Sequence, residues 1–170
     1  ICSGKTSKAS NLLFVARFCK RKRFDLLLDY YNEAFLINPL INLTIVTNPK
    51  GFKFLKSLVS SRFNHLSSSI KIYVDIPRPE LERIYRQSDS LICTSDAEGF
   101  YLPLYEAANF GCPSILPRLS IFRDDTVGAQ YPLFADNKYE FVECIFALCN
   151  YKVCFSALNL VRKSLLDGRK

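Results

Sequence analysis

Short apolar runs alternate along the chain with longer stretches in which apolar residues recur every three or four positions. A short apolar run bounded by polar residues is typical of a buried parallel strand, and the longer spacing is typical of an amphipathic helix. The predicted strands are 11–16, 41–47, 70–74, 91–93 and 114–116. The predicted helices are 24–37, 51–61, 80–87, 103–110, 137–149 and 153–166. This alternation predicts one α/β domain over residues 1–170, Rossmann-like and three-layered, with a mostly parallel sheet of five or six strands.

The segment 96–108 combines a strand end, a tight loop and the start of a helix. Gly99 allows a close backbone approach, and Pro103 suits a first helical position because its missing N–H would have no intrahelical partner. Gly111 and Pro113 then end the helix. A loop that leads into a helix at the carboxyl end of a strand is a common ligand site in open α/β sheets, and its free N–H groups favour anions.

Two carboxylates, Glu98 and Glu106, flank this loop at a spacing of eight positions. Carboxylates are poor partners for a phosphate but strong acceptors for hydroxyl groups. A phosphate at the helix end with hydroxyls at the glutamates suggests a nucleotide-sugar ligand. The alternative is an acid near a helix dipole and a solvated helix glutamate, without a ligand.

Four short matches in this region carry a resemblance to a known family. They are Glu98-Gly99-Phe100, Leu102-Pro103, Glu106-Ala107 and Gly111-Cys112-Pro113. In this order they resemble the signature of family-4 retaining glycosyltransferases of the GT-B fold, and the chain from about residue 12 to 134 follows the same order of elements. Whole enzymes of that family have two Rossmann-like domains. The resemblance implies that this chain is the C-terminal, donor-binding one, with the N-terminal acceptor domain absent and no activity alone.

The resemblance also implies an activity and a set of site residues. The enzyme would transfer a sugar from a nucleotide-diphosphate donor to a glycan or lipid-linked acceptor, with retention of configuration and without a metal or other cofactor. Arg17 and Lys22 match two family cations that stabilise the diphosphate leaving group. Glu98 would hydrogen-bond the donor sugar, and Glu106 the ribose diol. The resemblance thus implies that Arg17, Lys22 and Glu98 are the catalytic residues. The other implied contacts are Ile76 at the base and the backbone of Gly99, Phe100, Tyr101 and Leu102 at the phosphate and sugar.

Tyr101 departs from the family pattern, which usually has a second glycine at this position. If the ring occupied donor space, replacing it by glycine would tighten donor binding. Two other functions remain open, and Tyr101 is the feature that keeps the second of them open. One is a GT-B-fold nucleotide-sugar epimerase, and the other is a non-catalytic nucleotide-binding or scaffold subunit of a glycan-assembly complex.

The net charge of +7 is partly clustered, for example at residues 20–23. Lys20, Arg21 and Arg23 are interpreted as surface charges. No aromatic-interleaved RNA-binding signature accompanies the basic residues, so the sequence favours a phosphate-bearing small ligand or an anionic membrane surface over a nucleic acid.

The remaining composition indicates a reducing environment. The chain has seven cysteines, an odd number, and no pair has Cys-x-x-Cys spacing, so neither a disulfide framework nor a zinc site is predicted. Reduced structural cysteines imply a cytoplasmic protein, and the positive charge would allow it to lie at a membrane surface. No apolar run is long enough for a membrane-spanning helix, and the N-terminal residues do not form a signal peptide. His65, the single histidine, is predicted to be solvated.

Overall fold

The computed structural model describes residues 10–124 and 133–150 of this chain of 170 residues. Within them, six strands form one sheet in the order β3-β2-β1-β4-β5-β6, and every neighbouring pair is parallel. The strands are β1 Ser10–Val15, β2 Ile41–Thr47, β3 Ile70–Val74, β4 Ser90–Ile92, β5 Ser114–Leu116 and β6 Leu133–Phe134. The predicted α/β fold with a parallel sheet is therefore confirmed.

The helices are α1 Phe24–Ile37, α2 Pro49–Arg62, α3 Arg78–Gln87, α4 Leu102–Asn109, α5 Ser120–Asp124 and α6 Lys138–Asn150. Two short 3₁₀ turns span Lys20–Lys22 and Asn64–Leu66. The predicted helix 153–166 lies outside the described residues. Helix α2 begins two residues earlier than predicted because the Asn48 side chain caps it by accepting a hydrogen bond from the Gly51 N–H, with Pro49 in the first turn.

Helices cover both faces of the sheet, as the alternating side chains of each strand require. Leu12 and Phe14 of β1 belong to a core shared with α1, α2 and α6, whereas Leu13 belongs to a second core shared with α3, α4 and α5. Helices α1 and α6 also contact each other, and the rings of Tyr30 and Phe141 lie 5.3 Å apart. The three layers position the loops at the carboxyl edge of the sheet.

The strand order reverses direction between β1 and β4. From β1 the chain proceeds outward to β2 and β3, and from β4 it proceeds in the other direction to β5 and β6. Such a reversal opens a crevice at the carboxyl ends of the two central strands, which is where open α/β sheets bind ligands. The loops that follow β1 and β4 therefore form the first place to look for a functional site.

The start of α2 packs closely on the end of β2. A Cβ atom added to Gly51 would lie 2.2 Å from the Thr47 Oγ1 atom, in a buried part of the molecule. We expect Gly51→Ala to destabilise the domain by about 1–3 kcal/mol through overpacking, although alanine is the better helix former. Urea denaturation of Gly51→Ala and of Thr47→Ala/Gly51→Ala checks this, because removing the hydroxyl should restore much of the loss. Equal instability of the two variants would contradict the steric explanation.

Candidate functional site

The loops after β1 and β4 are joined into one unit at the crevice. The Asp96 N–H donates to the Arg21 carbonyl oxygen at 2.8 Å. The Thr94 hydroxyl lies 3.0 Å from the Lys22 carbonyl oxygen and 3.1 Å from that of Arg23. These bonds hold the backbone of residues 20–23 against the strand end of β4, so residues that are far apart in sequence share one surface.

Lys22 and Glu98 form a buried ion pair within this unit. The Lys22 Nζ atom donates to Glu98 Oε1, and the two side chains are 13% and 2% exposed. The Lys22 ammonium also lies 5.1 Å from the centre of the Tyr101 ring. Charges this well buried require a partner, since an isolated buried ion costs several kcal/mol. The structure therefore brings together two of the three predicted catalytic residues.

Arg17, the third predicted catalytic residue, lies at the end of β1 with an exposed side chain. It makes no ion pair with any residue that the structure describes. The adjacent backbone is anchored, because the Phe18 N–H donates to Asn48 Oδ1 at 3.2 Å. Arg17 thus presents a guanidinium group to solvent from a fixed loop.

The ring of Tyr101 points into the core between the sheet and the α3–α5 layer. Tyr101 is 2% exposed, meets the Phe122 ring edge-on at 5.8 Å, and its hydroxyl lies 3.4 Å from the Ile92 carbonyl oxygen. Burial raises the pKa of the Tyr101 hydroxyl well above its usual range. Because the ring is enclosed by this core, it does not project into the crevice.

The backbone between Gly99 and Leu102 is open to hydrogen bonding. The N–H groups of Gly99, Phe100, Tyr101 and Leu102 donate to no acceptor among the described residues. They precede or begin helix α4, whose N-terminal end carries a partial positive charge. Free N–H groups at the start of a helix favour an anion.

Glu106 sits one turn inside α4 and is held by two residues of α3. Its carboxylate accepts hydrogen bonds from the Arg78 guanidinium and, at 2.9 Å, from the Tyr85 hydroxyl. Burial and the nearby Glu106 carboxylate raise the pKa of Tyr85. A carboxylate can accept about four hydrogen bonds, so two acceptor positions remain after these contacts. Arg78 and Tyr85 were not predicted from the sequence, although their spacing along one helix face could have indicated a shared partner.

The remaining predicted contacts surround this arrangement. Ile76 follows β3, is half-buried and packs against the second core. The Phe100 ring is 64% exposed and stacks on Tyr105 with ring centres 4.7 Å apart, and Leu102 is 53% exposed. Because Arg78 reaches Glu106, the loop that contains Ile76 lies beside α4 even though β3 is an edge strand.

Arg23 has a structural role that the sequence did not indicate. Its guanidinium pairs with Asp25 and with Asp96, and thereby bridges the two loops. Its backbone has a φ of 47°, in the left-handed region. Lys20 and Arg21, the other two residues interpreted as surface charges, are exposed.

Other chemistry is sparse in the part of the chain that the structure describes. No group of three His, Cys, Asp or Glu side chains there could hold a metal ion. Cys19, Cys93, Cys112 and Cys144 form no disulfide within the described residues, and burial raises the pKa of Cys112 to about 12. His65 is exposed and its Nε2 atom lies 2.7 Å from Asn32 Oδ1. Among the described helices, none has the length and apolar character needed to cross a bilayer.

The strand order, the crevice and the open amide groups define a Rossmann-like domain of the kind that forms half of a GT-B glycosyltransferase. A family model described as "Glycosyl transferases group 1" matches residues 3–130, and the chain belongs to this family. The resemblance found in the sequence is thereby confirmed. A search of curated proteins finds no significant match.

Solved structures with the same fold include the C-terminal domain of LpcC, a glycosyl transferase group 1 family protein from Francisella tularensis, at 19% identity and a TM-score of 0.76. The alignment covers 91% of this chain and 85% of that one. A mutant of S. aureus TarM in complex with fondaparinux, alpha-GlcNAc-glycerol and UDP gives 16% identity and a TM-score of 0.75, over 98% of this chain and 33% of that one. The pneumococcal O-GlcNAc transferase GtfA in complex with UDP and GlcNAc gives 18% identity and a TM-score of 0.72. That alignment covers 94% of this chain and 33% of GtfA. The chain thus spans about a third of TarM and GtfA.

Proposed function

We propose that this chain is the donor-binding domain of a retaining glycosyltransferase and binds a nucleotide-diphosphate sugar across the carboxyl ends of β1 and β4. The observation that carries the proposal is the docking of the two loops, which sets the Lys22–Glu98 pair beside the open N–H groups of residues 99–102. Cations and free amides in one crevice suit a diphosphate, and carboxylates beside them suit the hydroxyls of two sugars.

Arg17 and Lys22 have complementary roles in this proposal. The exposed Arg17 guanidinium offers two parallel N–H donors to a phosphate, while Lys22 supplies a point charge. An ammonium group has three donors, so Lys22 keeps two after its bond to Glu98. The Lys22 charge is fixed by Glu98 before the ligand arrives, and a fixed charge stabilises the charge that develops on a leaving group.

The proposed reaction separates the sugar from the diphosphate at its anomeric carbon. The bond from that carbon to the β-phosphate oxygen breaks, and the nucleoside diphosphate leaves with the electron pair. An acceptor hydroxyl forms the new bond on the same face of the sugar, and its proton passes to an oxygen of the departing diphosphate. Glu98 would hold the donor sugar through its free acceptor positions, and Arg17 and Lys22 would stabilise the departing diphosphate. No metal is assigned a role.

The nucleoside end of the donor would lie towards α3 and the loop after β3. Glu106, positioned by Arg78 and Tyr85, would accept hydrogen bonds from the ribose diol, and Ile76 would pack against the base. UDP in the complexes of TarM and GtfA supports a nucleoside diphosphate as the ligand class and makes UDP the first probe.

Glu106 provides a prediction that is independent of the phosphate contacts. Glu106→Ala should weaken the binding of UDP and of uridine alike, each by about tenfold. Both ligands contain the ribose diol and would lose charge-assisted hydrogen bonds to the carboxylate. Isothermal titration calorimetry checks this. His65→Ala is the control. His65 precedes the amino end of β3, whereas the proposed site lies at the carboxyl ends of the strands, so this variant should leave both affinities unchanged. Loss of UDP affinity without loss of uridine affinity would contradict the ribose assignment.

The experiment that tests the function is a ligand-observed NMR screen of nucleoside diphosphates and nucleotide-sugars, followed by turnover with a complete protein of this family that contains this chain. We expect binding by the chain alone, but transfer only when an acceptor-binding domain and an acceptor are present. Donor conversion without acceptor into an epimeric sugar would favour an epimerase. Absence of any nucleotide binding would favour a scaffold subunit.

A further inference from the structure

A charge asymmetry in the middle of the chain marks a surface that the donor site does not use. Residues 34–74 contain no Asp or Glu and carry five basic residues, which are Lys50, Lys53, Lys56, Arg62 and Lys71. The net charge of the whole chain is +7, so most of the excess positive charge falls in this one segment. Four of the five basic residues lie on helix α2, Pro49–Arg62.

The outer face of α2 concentrates these charges. Lys50, Lys53 and Lys56 are exposed and form no ion pair with any residue that the structure describes, whereas Arg62 pairs with Asp29. Gly51 and Leu55 of the same helix are buried against the sheet, so the lysines point away from it. Every neighbouring exposed residue on this helix is neutral, and a field of one sign extends from the helix surface.

Two partly exposed phenylalanines border the lysines. Phe52 and Phe54 are 37% and 36% exposed, and the Phe54 ring lies 4.8 Å from that of Phe18 in the loop after β1. At i,i+4 spacing, Phe52 neighbours Lys56 and Phe54 neighbours Lys50 on the helix surface. Lysines flanked by aromatic side chains are typical of surfaces that rest on a bilayer, where the ammonium groups meet anionic headgroups and the rings enter the interfacial layer.

We propose that the outer face of α2 docks the domain on a membrane surface that is rich in anionic lipid. Complementarity of charge selects the partner, and Phe52 and Phe54 favour a lipid surface over a nucleic acid, for which this face offers flexible lysines and no unpaired arginine fork. Each lysine near an anionic surface contributes about fivefold to affinity, so docking by three is weak, reversible and sensitive to salt.

The docking would also orient the donor site. Helix α2 begins at the carboxyl edge of the sheet, and its cap residue Asn48 accepts a hydrogen bond from the Phe18 N–H next to Arg17. If the domain docks through α2, the crevice at the carboxyl edge of the sheet would therefore lie close to the bilayer surface. Membrane docking and donor binding use different residues, so each can fail without the other.

Vesicle co-sedimentation of the 170-residue chain tests the proposal. We expect binding to phosphatidylcholine vesicles that contain phosphatidylglycerol, no binding to phosphatidylcholine alone, and release at about 0.5 M salt. Lys53→Gln/Lys56→Gln should weaken binding by more than about tenfold. The matched control is Arg83→Gln/Arg86→Gln, which removes the same charge from exposed positions on α3, on the other face of the sheet, and should leave binding within about twofold.

Three results would overturn the docking face. The parent chain could fail to bind the anionic vesicles, or the two double variants could lose affinity equally, which would indicate net charge alone. In the third, the chain would bind an oligonucleotide duplex more tightly than the vesicles, and that binding would depend on Lys53 and Lys56.

Phe52→Ala separates the lipid and nucleic-acid partners, because it should weaken vesicle binding and leave oligonucleotide binding unchanged. Thermal unfolding of each variant verifies the fold.

Discussion

Replacing Tyr101 by alanine should lower the free energy of unfolding by about 3–5 kcal/mol, as truncation of a large buried aromatic residue usually does. The ring is fully surrounded by the second core and by the Lys22 ammonium. Tyr101→Gly should cost slightly more, because glycine also loosens the backbone by about 0.5–1 kcal/mol. Urea denaturation measures both values. Neither variant should bind a nucleotide-sugar more tightly, since the ring does not occupy the crevice.

Tyr101→Phe is the matched control for this substitution. It keeps the ring and removes only the hydroxyl, which lies 3.4 Å from the Ile92 carbonyl oxygen and also interacts with the Cys93 side chain. We therefore expect a loss of no more than about 1 kcal/mol. Tighter donor binding by Tyr101→Gly, with little loss of stability, would show that the ring projects into donor space.

Lys22→Ala and Glu98→Ala should each destabilise the domain by about 3–5 kcal/mol, because each leaves a buried charge without its partner. The double variant should lose less than the sum of the two, and the difference measures their coupling. Urea denaturation measures these values and also provides a comparison with a solvent-exposed ion-pair cluster. Arg118 pairs with Asp136 and Glu140 through side chains that are 36–47% exposed, so Arg118→Ala should cost less than about 1 kcal/mol.

Additive losses at Lys22 and Glu98 would mean that the two residues do not form a pair in solution. Losses as small as that of Arg118→Ala would mean that the pair is hydrated. Either result would remove one of the contacts between the two loops and, with it, the preformed cation that we assign to the diphosphate.

The architecture could be predicted because it depends on local patterns. Continuous apolar runs fixed the central strands, and helix α1 was predicted with its observed bounds of 24 and 37. The start of α2 was missed by two residues because the cap is made by a side chain, Asn48, that the apolar spacing does not include. Boundaries set by hydrogen bonds are less visible in a sequence than the periodicity that positions a core face.

The site was predictable residue by residue but not as an arrangement. The motif indicated Lys22 and Glu98 separately, yet their pairing joins positions 76 residues apart and needs the order of the sheet. The direction of the Tyr101 ring depends on space left by Phe122 and the end of β4, which no spacing reveals. Arg78 was missed for the same reason, because its partner Glu106 lies on another helix.

The most direct test of the donor site is calorimetric titration of the chain with UDP and with uridine. Arg17→Ala should weaken UDP binding by at least about tenfold, since a charged hydrogen bond is worth about 1.5–3 kcal/mol. The same variant should leave the affinity for uridine unchanged. Arg21→Ala removes the same charge from an exposed position in the same loop and should change neither affinity. Added salt should weaken UDP binding more in the parent than in Arg17→Ala, and EDTA should not change the affinity for UDP. If the parent binds no UDP at about millimolar concentration, or if Arg21→Ala matches Arg17→Ala, the crevice is not a diphosphate site.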